Sequence, residues 1–360
     1  MRAHPPALEK RGPLRTALLP LAMAFRGGAA LRALAYRRGW LRTRRLNCPV
    51  ISVGNLSVGG TGKTPFVAFV AETLLRMGWK PGILTRGHGR QHARVLITIE
   101  PGTERAPDPR VVGDEPALLA RRLPAVPLVI AADRYRAGLV GEERFGVNVH
   151  VLDDGFQHLA LGRELDVVLL DLTCDYSRAA LLPAGPLREP LAALARGQVV
   201  VLTRAELADA LPLENELRRL NPGLKIFHST TRLTKLVDAA SGHALAAGAL
   251  AGKRVCAFCG IGNPQAFFQD LRKWGLAPVV GTAFPDHHLY SEQELGALSR
   301  QAIEAGAAAL LTTEKDVMNF PREWRSKLPI LAGVVEVGVE PATAFVEALA
   351  GCLEMTRPRK

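Results

Sequence analysis

Lys63 and Thr64 stand where a glycine-rich turn ends and a helix starts. The stretch 50–65, Val-Ile-Ser-Val-Gly-Asn-Leu-Ser-Val-Gly-Gly-Thr-Gly-Lys-Thr-Pro, reads as a buried strand, a turn and a first helical turn. That arrangement cradles nucleotide phosphates. Backbone N–H groups of Ser57, Val58, Gly59, Gly60, Thr61 and Gly62 point at the anion, Lys63 reaches the β and γ phosphates, and the Thr64 hydroxyl ligates Mg²⁺. Ser57 occupies the first position of the usual Gly-x-x-x-x-Gly-Lys-Ser/Thr pattern, so the pattern is missed by one residue. An ordinary strand-to-helix turn could also use Gly-Gly-Thr-Gly, but Gly-Lys-Thr directly after an apolar strand favours the phosphate cradle. Pro65 suits either reading, because proline is tolerated in a first helical turn.

A metal bridging two phosphates needs a carboxylate at the end of a neighbouring strand. The run 149–158, Val-His-Val-Leu-Asp-Asp-Gly-Phe-Gln-His, ends an apolar strand in Asp153 and Asp154, and either can be that ligand. An Asp-Gly turn with an incidental second Asp is the alternative. Asp114, in Gly-Asp-Glu-Pro (113–116), precedes a helix, where the commonest use of Asp is as an N-cap. It gains a chemical role only if its loop faces the γ-phosphate. Asp286-His287-His288 offers a histidine oriented by a carboxylate, whereas adjacent histidines in an extended loop cannot both face one metal. Arg86, Arg188 and Lys315 lie after strands or in loops, where anion-binding groups belong. Cys256-x-x-Cys259 has no second pair and no nearby His-x-x-x-His, so an apolar strand end is a better reading than zinc or redox chemistry.

The elements that must position these residues alternate. Helical spacing covers 65–77, 115–122, 134–145 and 206–220; strand-like runs fall at 82–85, 128–131, 149–152, 167–171 and 199–203. Alternation of this kind predicts an α/β fold, a P-loop NTPase-like and mostly parallel sheet covered by helices. Residues 224–251 lose the helical pattern and read as linking strands. A second alternation follows, with strands at 254–258, near 279 and at 309–312, a helix over 265–274, and a capping box Ser291/Glu294 starting a helix through 305. The expected organisation is therefore an N-terminal segment 1–46, a P-loop core 47–223, linking strands 224–251 and a smaller C-terminal α/β domain 252–350.

Charge is distributed unevenly. The chain of 360 residues carries a formal net charge of +12, yet residues 1–46 hold eleven Arg or Lys and one Glu, leaving only +2 for the other 314. A basic groove across the folded body is thus disfavoured, and with it nucleic acid as a partner. The terminal segment mixes Leu14, Leu18, Leu19, Leu21, Met23 and Phe25 with Arg15, Arg26, Arg32, Arg37 and Arg38, and carries Tyr36 and Trp40. Its longest uncharged run, Thr16–Phe25, contains Pro20 and is well short of the roughly 20 apolar residues that span a bilayer. Attachment to an anionic membrane surface fits better than spanning. A helix packed on the protein's own core with a basic outer face is the alternative. Five cysteines form no dense framework, which points to a reducing compartment.

Taken in order, seven stretches resemble the tetraacyldisaccharide 4'-kinase (lipid A 4'-kinase) family: 53–65, Leu-Thr-Arg-Gly-His-Gly-Arg (84–90), Gly-Asp-Glu-Pro (113–116), Asp-Asp-Gly-Phe-Gln-His (153–158), Gly-Pro-Leu-Arg-Glu (185–189), Phe-Cys-Gly-Ile-Gly-Asn-Pro (258–264) and Asp-His-His (286–288). The resemblance implies transfer of the ATP γ-phosphoryl group, with Mg²⁺, to the 4'-hydroxyl of an acylated glucosamine disaccharide 1-phosphate. It implies Asp114 and His287 as a catalytic pair that activates the sugar hydroxyl, with Lys63 carrying phosphoryl charge and Arg188 and Lys315 near phosphates. It also implies peripheral attachment at the cytoplasmic face of the bacterial inner membrane. His88 stands where many relatives carry an aromatic residue. A membrane-targeted regulatory P-loop ATPase is the competing expectation, and it leaves the second α/β domain and its Asp-His-His loop without a task.

Overall fold

The computed structural model describes residues 13–87, 90, 94–103, 107–176 and 179–354, with side chains from residue 16 onward. His88 lies outside them. The described residues form two compact units, 231–336 and the remainder.

The larger unit begins with α1 (Pro13–Arg37), then β1 (Val50–Asn55), α2 (Lys63–Arg76), β2 (Pro81–Thr85) and the short β3 (Ile97–Ile99). There follow α3 (Pro109–Val112), α4 (Asp114–Arg122), β4 (Leu128–Ile130), α5 (Arg134–Phe145), β5 (Val149–Asp153) and β6 (Leu165–Asp171). A 3₁₀ turn (Leu191–Arg196), β7 (Val199–Thr203), α6 (Leu211–Leu220) and the first part of β8 (Lys225–Asp238) complete this run. Its strands lie in the order β3-β4-β2-β5-β1-β6-β7-β8. All pairs are parallel except β3 with β4. The reason is visible residue by residue: β1, β2, β5, β6 and β7 are buried at every position, which requires cover on both faces and favours parallel strands with crossover helices.

The parallel order brings strand ends together. Val53 is in register with Asp153 of β5, and Leu84 with Leu152, so the loops after β1, β2 and β5 leave the same sheet edge side by side. Crevices outside the carboxyl ends of parallel strands are where such folds bind ligands.

The smaller unit contains β9 (Ala244–Ala246), β10 (Val255–Cys259), α7 (Pro264–Lys273), β11 (Val280–Ala283), α8 (Glu292–Glu304), β12 (Ala309–Thr313) and α9 (Glu314–Met318). Strands β11-β10-β12 and the start of β13 (Ile330–Glu340) run parallel. Two apolar clusters cover the two faces of this sheet; Cys259 belongs to one and Cys256 to the other. Three residues apart on a strand, the two thiols point to opposite faces and cannot form a redox pair or share a metal.

Residues 337–354, including α10 (Ala342–Glu354), group with the larger unit, whereas the sequence pattern assigns 252–350 to the smaller one. The aromatic packing explains the difference. Phe345 of α10 lies 5.9 Å from Phe66, 5.8 Å from Phe69 and 5.2 Å from Phe227, ring centroid to ring centroid. The residues expected to link the units are the long β8, with β9 antiparallel to it. Helix α1 continues through Pro20, and its 22-residue stretch Thr16–Arg37 is, by length and composition, long and apolar enough to cross a membrane. The uncharged run counted from sequence is shorter because it stops at Arg26.

Candidate active site

Gly62, with φ +81°, sits at the N-cap of α2 and leaves Lys63 as the first helical residue. Only glycine adopts that backbone without strain. Lys63 Nζ donates to Asn55 Oδ1 at 3.1 Å and lies 3.2 Å from Asp154 Oδ1. Asn55, the last residue of β1, also donates from Nδ2 to Thr61 Oγ1 at 2.9 Å, so one buried amide ties strand end, turn and lysine together. Ser57 is buried, and a second strand-like segment closes the loop from outside: Val58 N donates to Pro186 O at 2.8 Å, and Arg188 N to Leu56 O at 2.7 Å. A serine in place of the first pattern glycine fits this, because Ser57 is in an extended bridge with Leu187.

That pairing delivers Arg188 to the carboxylates. Its Nη1 donates to Asp154 Oδ2 at 2.6 Å. Asp154 itself has φ +52°, an uncommon backbone for a residue other than glycine, which turns its carboxylate toward Lys63 and Arg188. Burial works to raise the Asp154 carboxyl, but Lys63 and Arg188 outweigh it and hold the group down at about 2. Its neighbour behaves oppositely. Burial, then the charges of Glu115 and Asp154, push Asp153 up to about 7 against Lys63 and a hydrogen bond from Thr85 Oγ1 at 2.9 Å. Excess negative charge at Asp153, with oxygen donors only, is what a hard divalent cation between carboxylate and phosphate relieves. Mg²⁺ is an ion usually held by one or two carboxylates plus substrate phosphates.

The loop after β5 is held by arginines. Arg163 donates to the carbonyls of Phe156 and His158, and Arg32 of α1 donates to Gln157 O at 3.1 Å. Arg196 stacks 3.8 Å from the Phe156 ring centroid, donates to Phe156 O, and forms a two-pronged pair with Glu189 at 2.7 and 2.8 Å. Phe156 in turn presses on Gly54 of β1, where a Cβ would meet Phe156 Cβ at 2.7 Å. The strand before the phosphate turn and the loop bearing Asp153 and Asp154 are therefore one packed body.

Asp114 is buried and is the first residue of α4, with Gly113 at the N-cap, so it does not serve as that helix's cap. Its Oδ1 accepts from Glu115 N at 2.9 Å. Arg86 is exposed after β2, and with Arg90 it works against the charge of the buried Arg134, which Asp153 and Asp154 favour. Burial is the main cause that pushes the Arg134 guanidinium down.

In the smaller unit, Lys315 Nζ donates to Asp286 Oδ1 at 3.0 Å and lies 3.5 Å from His287 Nε2, itself 3.6 Å from Asp286 Oδ2. His287 has φ +60°, fixed by its N–H to Gly260 O at 3.1 Å. Beneath this cluster the buried Asp316 accepts from Gly260 N at 2.7 Å, Tyr290 Oη at 2.8 Å and Thr313 Oγ1 at 2.6 Å. His288 is turned away, paired with Glu294 at 3.1 Å and stacked on Phe284.

Several participants carry no sequence pattern: Asn55, Arg134, Arg196, and Arg204, which pairs with Asp171 and reaches Gly60 O at 3.4 Å. Asn55 left a trace, a polar residue closing an apolar strand; the arginines left none.

Residues 14–354 match the family model described as tetraacyldisaccharide-1-P 4'-kinase, LpxK. The chain belongs to this family. It is 36% identical to the tetraacyldisaccharide 4'-kinase of Syntrophus aciditrophicus, covering 94% of this chain and 92% of that one. Against the enzyme of the same name from Anaeromyxobacter dehalogenans strain 2CP-C it is 42% identical over 87% and 84%. Its fold matches a crystal structure of LpxK from Aquifex aeolicus in complex with ATP, with a TM-score of 0.75 and 31% identity over 94% of this chain and 99% of that one.

Proposed function

We propose that this member of the tetraacyldisaccharide 4'-kinase family transfers the γ-phosphoryl group of ATP to the 4'-hydroxyl of a tetraacylated glucosamine disaccharide 1-phosphate, a step of lipid A biosynthesis. The observation that carries the reading is Lys63 at the first turn of α2, within 3.2 Å of a carboxylate that ends the neighbouring parallel strand, in a chain of this family. Backbone N–H groups of the 57–62 turn would line the phosphates, excepting Val58 N and Thr61 N, which already donate to Pro186 O and Gly59 O, and Lys63 would neutralise charge that develops on the transferred group. Thr64, Asp153 and Asp154 would hold Mg²⁺, which when bound supplies charge neutralisation across the β and γ phosphates.

The sugar oxygen forms the new P–O bond as the bond to the β-phosphate oxygen breaks, and ADP leaves. Asp114 and His287 are the proposed pair that takes the hydroxyl proton as it departs, since a sugar hydroxyl is far too weak an acid to ionise beforehand. Support for His287 is its local geometry, a ring nitrogen between Asp286 and Lys315. Arg86, Arg188 and Lys315 are assigned to phosphates. Arg188 already sits on the Asp154 carboxylate, where a phosphate oxygen would lie close.

The exposed side chains of α1, including Leu19, Leu21, Met23, Phe25 and Leu31, support attachment to the membrane that holds the acyl chains. The reading adopted is an interfacial helix at the cytoplasmic face of the inner membrane, with arginines on anionic headgroups.

The test is direct. Purified protein with labelled ATP and Mg²⁺ should label the disaccharide lipid; ADP formation that ignores the acceptor would discard the kinase reading. Asp114→Ala and His287→Ala should each lower turnover by about 10²-fold or more. Unchanged turnover in both would remove the pair. Deleting residues 1–40 should weaken binding to anionic liposomes, and unaltered partitioning would remove the anchor.

A further inference from the structure

The loop that carries His287 rests on a carboxylate to which no part in the reaction has been given. Strands β10 and β12 are parallel neighbours, so Gly260, just past β10, and the first turn of α9, just past β12, leave the same sheet edge. Asp316 sits in that turn, fully buried. Its Oδ1 accepts from Gly260 N and from Tyr290 Oη, and its Oδ2 from the hydroxyl of Thr313, the N-cap of α9. Burial pushes this carboxyl up, while hydrogen bonds from Thr313, Gly260, Tyr290 and Thr312 hold it down. A buried carboxylate is costly to carry, and well-packed apolar groups often replace such charge without loss of stability. What the carboxylate adds here is direction.

Two of its donors continue into the histidine loop. Gly260 gives its N–H to Asp316 at 2.7 Å and its carbonyl to His287 N at 3.1 Å, so one residue links the buried carboxylate to the backbone of the histidine. The loop lies too close on Gly260 for any side chain there: a Cβ would stand 2.9 Å from His288 Cβ and 3.0 Å from Pro285 O. Tyr290 closes the far end of the loop, with its N–H on Asn319 O and its ring against Phe258, Phe284 and Phe320. Phe284 N, donating to Cys259 O at 2.8 Å, closes the near end. Between these fixed points His287 has φ +60°, which residues other than glycine seldom adopt unless their surroundings impose it. Lys315, adjacent to Asp316 on α9, holds Asp286 at 3.0 Å from the outer side. The ring of His287 is aimed by its backbone, and that backbone by Asp316.

We propose that Asp316 is a positioning residue for His287, setting through Gly260 and Tyr290 the place from which the imidazole meets the acceptor hydroxyl. The inference rests on the assignment of His287 to proton transfer in the kinase reading. Misplacing a reacting group by about 1 Å can cost about 10²-fold in rate, while binding of ATP and of the acceptor, which draws on other groups, is spared.

The experiment uses the full chain in detergent micelles. Asp316→Ala should lower kcat about 30-fold with KM for ATP and for the disaccharide lipid within about twofold. Asp316→Asn keeps an acceptor oxygen for Gly260 N and Tyr290 Oη and should recover to within about fivefold of the wild type. The double variant with His287→Ala should be no slower than His287→Ala alone, because a residue acting through the histidine has nothing left to position. Multiplying losses in the double variant, or a rise in KM with kcat intact, would overturn the proposal. Gly260→Ala keeps the carboxylate and displaces the loop from above, so it should reproduce the kcat loss even where Asp316→Ala fails to fold; wild-type kcat in Gly260→Ala would also overturn the proposal. A readout independent of turnover is the NMR signal of the His287 ring in protein carrying ¹³C-labelled histidine, identified by its disappearance in His287→Ala. That signal should move in Asp316→Ala and in Gly260→Ala, and an unmoved signal in both would refute the link. If His287→Ala turns over normally while the ring signal still moves, the role of His287 in the kinase reading fails and its positioning by Asp316 stands.

Discussion

The charged cluster around Lys63 and the one around His287 are built on opposite plans. Lys63 is only 13% exposed and is held by Asn55 and Asp154 at the ends of two fully buried parallel strands. His287 and Asp286 are 29% and 36% exposed, on a loop tied down by backbone hydrogen bonds from Phe284, His287 and Tyr290 and by the buried Asp316 below. A triphosphate presents the same shape at every turnover, so a preorganised cradle costs nothing in range and gains in charge stabilisation. In the proposed role, a loop-borne histidine would tolerate a bulky acylated sugar and give up some of that preorganisation. The P-loop cluster should therefore be less tolerant of substitution than the histidine cluster.

Lys63→Ala tests the stiffer side and should produce the largest loss, about 10³-fold in turnover, with the fold intact by circular dichroism. His287→Ala should fall short of that, near 10²-fold, while Tyr290→Phe lowers turnover by less than about tenfold by loosening the loop from Asp316. A His287 variant as damaged as the Lys63 variant would erase the proposed contrast. Arg196→Met should lower turnover about tenfold and destabilise by about 2–3 kcal/mol, since Glu189 loses its partner and the ring of Phe156 its cation. Arg196→Lys should not rescue it, because an ammonium supplies neither the two-pronged pair nor the stack.

Acid should act on the larger unit first. His158 has its folded value near 4, below its ordinary 6.5, so between those limits the unfolded chain binds the extra proton and stability falls as pH falls. The loss should be on the order of 2 kcal/mol, read from urea unfolding at pH 7.5 and 4.5. His158→Gln should remove that part of the slope, and an unchanged slope would place the titration elsewhere. The smallest effect belongs to Ser291→Ala, which breaks the capping box of α8 for about 1 kcal/mol with turnover unchanged.

Periodicity and local chemistry carried most of the architecture. The helix over Arg134–Phe145 and the strand Val199–Thr203 follow the sequence pattern residue for residue, and the Ser291/Glu294 box is present as read. Nothing local in the largely apolar α10 says which unit it joins; that is decided by Phe345 meeting Phe66, Phe69 and Phe227, residues far away in the chain. The length of β8 was hidden for a similar reason. Its burial is irregular, with Phe227, Ser229, Leu233 and Leu236 buried among half-buried and exposed neighbours, and its partner strands are set by the sheet around it.

By itself the sequence determined which groups are available: a lysine after a glycine turn, two carboxylates closing an apolar strand, a basic apolar terminus. These are local facts, encoded within a few residues of one another. The tertiary structure alone decided how those groups are charged and held. Asp153 and Asp154 are chemically identical neighbours, both buried and both near Lys63, yet one is pushed up to about 7 and the other held at about 2, because Glu115 adds its charge against the first while Arg188 joins Lys63 on the second. Those partners come from distant segments, and only folding brings their fields to bear on a single carboxylate.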